Sequence, residues 1–146
     1  MKEQLISRLK RTNSLFIDFT KSIDESLFSA KLPNLPSNTI GQQLWCVLGA
    51  RTSYLKAAKA GSWQGFECHL SQEDIQARDV ILKSLDDSYL KLEGFLKENG
   101  NLSGEALDYL LDLLEHESQH HGQLIRYLYG LKIEIPESWK ARYSLY

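Results

Sequence analysis

Apolar side chains recur every three or four residues through most of this chain, and residues that start or stop helices punctuate the pattern. Residues 3 to 23 set Leu5, Leu9, Phe16, Phe19 and Ile23 at helical spacing with Lys, Arg and Asp between them, which predicts an amphipathic helix. The next stretch, DESLFSAKLPNLPSNT, carries Pro33 and Pro36, which bias the residues before them toward extended backbone. A long connection is expected there, with Ser37, Asn38 or Thr39 capping the following helix. That second helix is predicted from about Thr39 to Ala60, with Ile40, Leu44, Val47, Leu48, Arg51, Leu55 and Ala58 near one stripe and Gly61 at its end.

The opposite side of the second helix gathers Gln42, Cys46, Gly49, Ala50, Ser53 and Ala57 at 100° per residue, a strip where another backbone or a ligand can come close. After GSWQGFECHL, Ser71 with Asp74 reads as a capping box. A third helix is expected from there, its stripe formed by Ile75, Leu82, Leu85, Tyr89, Leu92 and Leu96 with Arg78 filling one slot. KENGNLSG supplies a turn, Ser103 the next cap, and a fourth helix should run from Gly104 to about Tyr129 before Gly130 closes it. With no convincing strand and no internal repeat, the fold class expected is all-α, a single four-helix bundle over residues 1–146. The tail LKIEIPESWKARYSLY is expected to lie back as an irregular cover anchored by Trp139.

Composition narrows the class without naming a function. A chain of 146 residues is the size of one domain, and 42% hydrophobic with 25% charged residues fits a packed globular protein rather than a disordered one. A formal charge of -2 gives no electrostatic reason to expect nucleic acid as a partner. Cys46 and Cys68 are too few for a disulfide framework and are read as free thiols. The N-terminal residues scatter charges among the apolar ones, unlike a signal peptide, and no apolar run approaches the roughly 20 residues of a membrane span. A cytoplasmic location is therefore expected.

Chemistry concentrates in LLEHESQHHGQLIRY, where three of the four histidines fall within six residues. His116 and His120 are four apart, so their imidazoles lie one turn above the other and can share a divalent ion such as zinc, nickel or iron(II). A third ligand must then come from another helix. The fourth helix is apolar on two sides, Leu107, Leu111, Leu114, Ile125 and Leu128 on one and Tyr109, Leu113, His116, His120, Leu124 and Tyr127 on the other. One side must be covered by the tail, a pocket or a second subunit. Gly122 suggests a close approach to the helix backbone. His121 is expected to pack or titrate at an interface, and His69 to be an exposed loop residue. Glu117 is a candidate general base beside the metal, while Arg51 and Arg126 are candidates for a carboxylate substrate or for surface ion pairs.

Three segments in order, TIGQQLWCVLGARTSYL, SWQGFECHLSQEDI and LLEHESQHHGQLIRYL with the IPESW tail, resemble the DinB-like family of bacterial four-helix bundles over nearly the whole chain. The resemblance implies a divalent metal on three histidines, one in the second helix and two in an H-x3-H pair just before Gly-Gln, and a homodimer. His116 and His120, followed by Gly122 and Gln123, match that pair. It also implies a small-molecule substrate and one of two activities, metal-dependent hydrolysis or transfer with a low-molecular-weight thiol such as mycothiol or bacillithiol. Where the family's histidine is expected inside QLWCVLGAR, this chain has Cys46. A thiolate is a sound zinc ligand, which makes Cys46, His116 and His120 the candidate metal set. The alternative is a non-catalytic dimeric bundle whose metal site has degenerated, with Cys46 a small buried apolar residue and the molecule binding a small ligand or a protein.

Overall fold

The computed structural model describes all residues from Met1 to Tyr146, and it is all-helical. Five α-helices follow in order: α1 Lys2–Ser22, α2 Ile40–Ala60, α3 Arg78–Glu98, α4 Gly104–Gly130 and α5 Glu137–Tyr143. Two short 3-10 turns, Glu25–Ser29 and Asp74–Gln76, sit in the connections. No helix is long and apolar enough to cross a membrane.

Local chemistry explains three of the helix ends. Thr39 Oγ1 accepts from the Gln42 N–H at 3.1 Å while Gln42 Oε1 accepts from the Thr39 N–H at 2.8 Å, a complete capping box that opens α2. Gly61 closes α2 in the left-handed region at φ 78, which its lack of a Cβ permits. Ser103 Oγ accepts from the Ala106 N–H at 3.1 Å and opens α4.

Two expectations are corrected. The Ser71–Asp74 box forms reciprocally, at 2.8 and 3.1 Å, but it caps the 3-10 turn, and α3 begins only at Arg78. The interruption places Arg78 so that its guanidinium donates to the Thr20 and Ile23 carbonyls at the C-terminal end of α1. Ile81 rather than Leu82 then takes the buried slot. Helix α4 ends at Gly130 as expected, with Leu32 and Pro33 packed against that glycine and Lys132 just beyond it in the left-handed conformation at φ 55. The tail is not irregular throughout, since residues 137–143 form α5, and Trp139 is fully buried with its indole N–H donated to the Leu15 carbonyl at 2.8 Å.

The four long helices pack with two long neighbours each: α2 lies on α4 and α3, and α1 on α3 and α4. Buried apolar side chains divide into two clusters, a larger one that includes Phe16, Phe19, Leu44, Leu85, Leu128 and Trp139, and a smaller one that includes Leu5, Leu9, Leu55, Leu92 and Leu110. Helices α1 and α4 enter the smaller cluster first, whereas α2 and α3 enter the larger one first. Consecutive α2 and α3 therefore run the same way, which is why residues 61–77 must form a long return connection.

Between the two clusters every long helix contributes polar groups. Thr12 and Asn13 come from α1, Arg51 from α2, Ser88 from α3, and Glu117, His120 and His121 from α4. Buried polar groups are costly unless satisfied, and this layer is largely satisfied internally. Arg51 Nε donates to Glu117 Oε1 at 2.5 Å, and its Nη1 reaches Asn13 Oδ1, the Leu85 carbonyl and Ser88 Oγ. Thr12 Oγ1 donates to the other Glu117 oxygen at 2.6 Å. One buried cation and one buried carboxylate thus tie all four long helices together.

Candidate metal centre

Cys46 from the middle of α2 and the His116–His120 pair from α4 meet beside that polar layer. One ligating atom from each lies within 4.8 Å of the other two. Cys46 Sγ is 3.6 Å from His116 Nε2, and His116 Nε2 is 3.2 Å from His120 Nε2. Tetrahedral zinc, with bonds of about 2.3 Å to sulfur and 2.05 Å to nitrogen, needs sulfur and nitrogen about 3.6 Å apart and two nitrogens about 3.3 Å apart. Both separations fall within about 0.2 Å of these values, and the third, between Cys46 and His120, lies within 4.8 Å. The residues present fit a single divalent ion, with a fourth position for an exogenous ligand.

The surroundings prepare two of the donors. His120 Nδ1 donates to Gln43 Oε1 at 2.6 Å, which leaves the Nε2 lone pair directed at the trio. Gln43 is itself held by Asn38 Oδ1 at 2.7 Å, and the Tyr127 hydroxyl donates to the same residue. Burial pushes His120 down to about 4, with neighbouring His116 acting the same way. Burial also lowers His116, against the opposing pull of the Glu117 carboxylate. Both imidazoles are neutral at pH 7, the form a metal requires. The Cys46 thiol is raised by burial and then by nearby Cys68, so it keeps its proton until a cation displaces it. His116 Nδ1 is buried without a hydrogen-bond partner.

Aromatic rings stand beside the trio. Tyr54 lies 6.4 Å from the His116 ring, between Trp63 at 5.2 Å and Tyr109 at 6.5 Å by ring centroids. Trp63 is partly exposed.

Other expected site residues fall elsewhere. Glu117 is adjacent to His116 in sequence but points into the core, where both of its oxygens are occupied by Arg51 and Thr12, so it is not placed as a general base. Arg51 is neither a surface pair nor a free carboxylate binder, being 1% exposed and bound to Glu117. Arg126 is exposed. His121 packs, as expected, but within the core under the tail: its ring is 4.3 Å from Phe16 and 5.0 Å from Trp139, and Nδ1 is 2.6 Å from the Tyr143 hydroxyl. His69 is exposed.

The small-residue strip of α2 is covered by the chain's own return connection. A Cβ at Gly49 would stand 2.3 Å from Phe66 and 3.0 Å from Cys68, and Ser53 Oγ bonds the backbone of Glu67. No close approach occurs at Gly122, which has nothing within 4 Å of a built Cβ. Gly41, like Gly49, is tightly packed, facing the carbonyls of Ile75 and Phe28. Gln43 escaped the sequence reading, although it lies one turn before Cys46 and so shares that residue's face.

No protein-family model matches this chain, and no curated protein matches it either.

Proposed function

We propose that the chain is a DinB-like four-helix bundle that pairs as a homodimer and holds one divalent cation on Cys46, His116 and His120. Support for the family comes from the TIGQQLWCVLGARTSYL and LLEHESQHHGQLIRYL segments and from their order along the chain. The observation that carries the metal is the pair of separations, 3.6 Å for sulfur to nitrogen and 3.2 Å for nitrogen to nitrogen, which suit a tetrahedral ion. When bound, a divalent ion would serve as a Lewis acid that activates water for hydrolysis or a low-molecular-weight thiol for transfer. Gln43 orients His120, and Tyr54 with Trp63 borders the side on which a small-molecule substrate would approach.

Titration with cobalt(II) tests this directly. A thiolate-to-cobalt charge-transfer band that saturates at one equivalent, and disappears in Cys46→Ser, is expected. Saturation without that band would remove Cys46 from the ligand set.

One observation favours a second reading, a non-catalytic bundle that binds a small molecule or a protein. Since Gln43 Oε1 can only accept, His120 must donate from Nδ1, and its Nε2 then accepts from His116 Nε2–H. The two imidazoles can thus be linked by hydrogen bonds alone, with Cys46 Sγ merely in contact with an Nε2–H that already donates to His120. Thermal unfolding that is the same with and without EDTA, for protein first mixed with zinc, would favour this reading.

A further inference from the structure

A second concavity opens on a different face of α2. Cys46 and Arg51 are five residues apart, about 140° around the helix. Arg51 reaches into a cavity of about 470 Å³ between α2, α3 and His69 of the return connection. Nine of its ten lining residues are polar or charged, Leu55 being the one hydrophobic residue. Lys56, Lys59 and Lys91 line it together with Arg51, against a single carboxylate, Asp87.

The charge there runs against that of the molecule. The whole chain carries a formal charge of -2, yet this one cavity collects four cationic side chains. Asp87 is engaged by Lys83 at 2.6 Å, and Lys56 by Glu67 at 2.9 Å. None of the six ion pairs in the protein uses Lys59 or Lys91. Arg51 is fixed by Glu117 through Nε and by three neutral acceptors through Nη1, leaving Nη2 outside those bonds. Thr52, Ser84 and Ser88 complete the wall. The Thr52 and Ser88 hydroxyls donate to the Leu48 and Leu85 carbonyls, which leaves the Ser84 hydroxyl as the one outside those bonds. Lysines on opposite helices, a fixed guanidinium and a hydroxyl donor suit an oxyanion with several acceptor oxygens.

We propose that this cavity is a binding site for a small soluble phosphate compound, a phosphate monoester or diphosphate, separate from the metal centre. A flat lipid surface fits less well, because the cationic groups converge in a concavity rather than on a flat face.

Calorimetric titration with inorganic phosphate and pyrophosphate tests the site, on protein stripped of metal with chelator and then desalted so that no cation can bind the anion. One saturable site is expected, tighter for pyrophosphate, with affinity reduced at least about tenfold in Lys59→Glu/Lys91→Glu. The charge-matched control Lys10→Glu/Lys21→Glu, on exposed α1 positions, should bind as wild type. Circular dichroism verifies that both variants fold. Absence of saturable binding, or an equal loss in both double variants, overturns the proposal. So does binding to phosphatidic acid vesicles without binding of either free anion.

Discussion

Substitution of Glu117 by Gln removes one charge from a buried pair, Glu117 being 0% and Arg51 1% exposed. The amide keeps the volume and can still accept one hydrogen bond, but Arg51 is left with only neutral acceptors: Asn13, the Leu85 carbonyl and Ser88. Breaking a buried pair from one side costs about 3–5 kcal/mol, and the retained acceptor places this variant near the lower end, at about 3 kcal/mol. For a chain of this size that is a fall of about 6–12 °C in Tm. With a urea slope of about 2 kcal/mol/M, the unfolding midpoint moves down by about 1.5 M. The same pair should show strong coupling in a double-mutant cycle, because Arg51→Met/Glu117→Leu leaves no buried charge and should be more stable than either single variant. Urea unfolding of Glu117→Gln and of the four proteins of the cycle is the assay. A Glu117→Gln variant within about 1 kcal/mol of wild type would refute the role assigned to this pair, and would return Glu117 to the list of candidate bases.

Acid should destabilise the fold through His121, whose pKa burial and then the Arg51 cation push down to about 3. Unfolded, the group titrates near its ordinary value of about 6.5, so below that pH only the unfolded chain takes up the proton and stability falls with pH, while above about pH 7 the group contributes no slope. By pH 5 the loss is about 2 kcal/mol, and urea unfolding of His121→Phe should show a correspondingly flatter profile between pH 7 and 5; an unchanged slope would contradict this. Two glycine substitutions should move thermal stability in opposite directions. Gly122→Ala adds about 1 kcal/mol in an open helical position, whereas Gly41→Ala lowers stability by about 1–3 kcal/mol, since its methyl would stand 2.5 Å from the Ile75 carbonyl oxygen. Shifts of the same sign would show that the packing at Gly41 is misjudged. Gln43→Leu should weaken zinc affinity about 10–100-fold in chelator competition while leaving the three ligands in place; unchanged affinity would show that Gln43 does not tune His120.

Helix positions were legible because each long helix carries its own apolar period, and Thr39, Gly61 and Ser103 act on residues within one turn. The start of α3 was not, because Arg78 answers to carbonyls at Thr20 and Ile23, far away in sequence. Arg51 and Glu117 each sat at a plausible position for other work, one on an apolar stripe and one beside a candidate ligand. Their pairing across 66 residues leaves no mark in either local pattern. The histidine pair was visible from its spacing on one helix, whereas Cys46 entered only through family resemblance. Gln43 lay within one turn of Cys46, but a lone glutamine carries no motif.

Metal content of untagged protein, determined by elemental analysis for wild type beside Cys46→Ala and His116→Ala, tests the central claim most directly. The account predicts close to one equivalent of a divalent metal in wild type, as purified or after zinc or nickel is added and the excess removed. Both variants should hold markedly less while retaining their helical content. Wild type that takes up no metal, or a Cys46→Ala variant with undiminished content, would contradict the Cys46–His116–His120 centre.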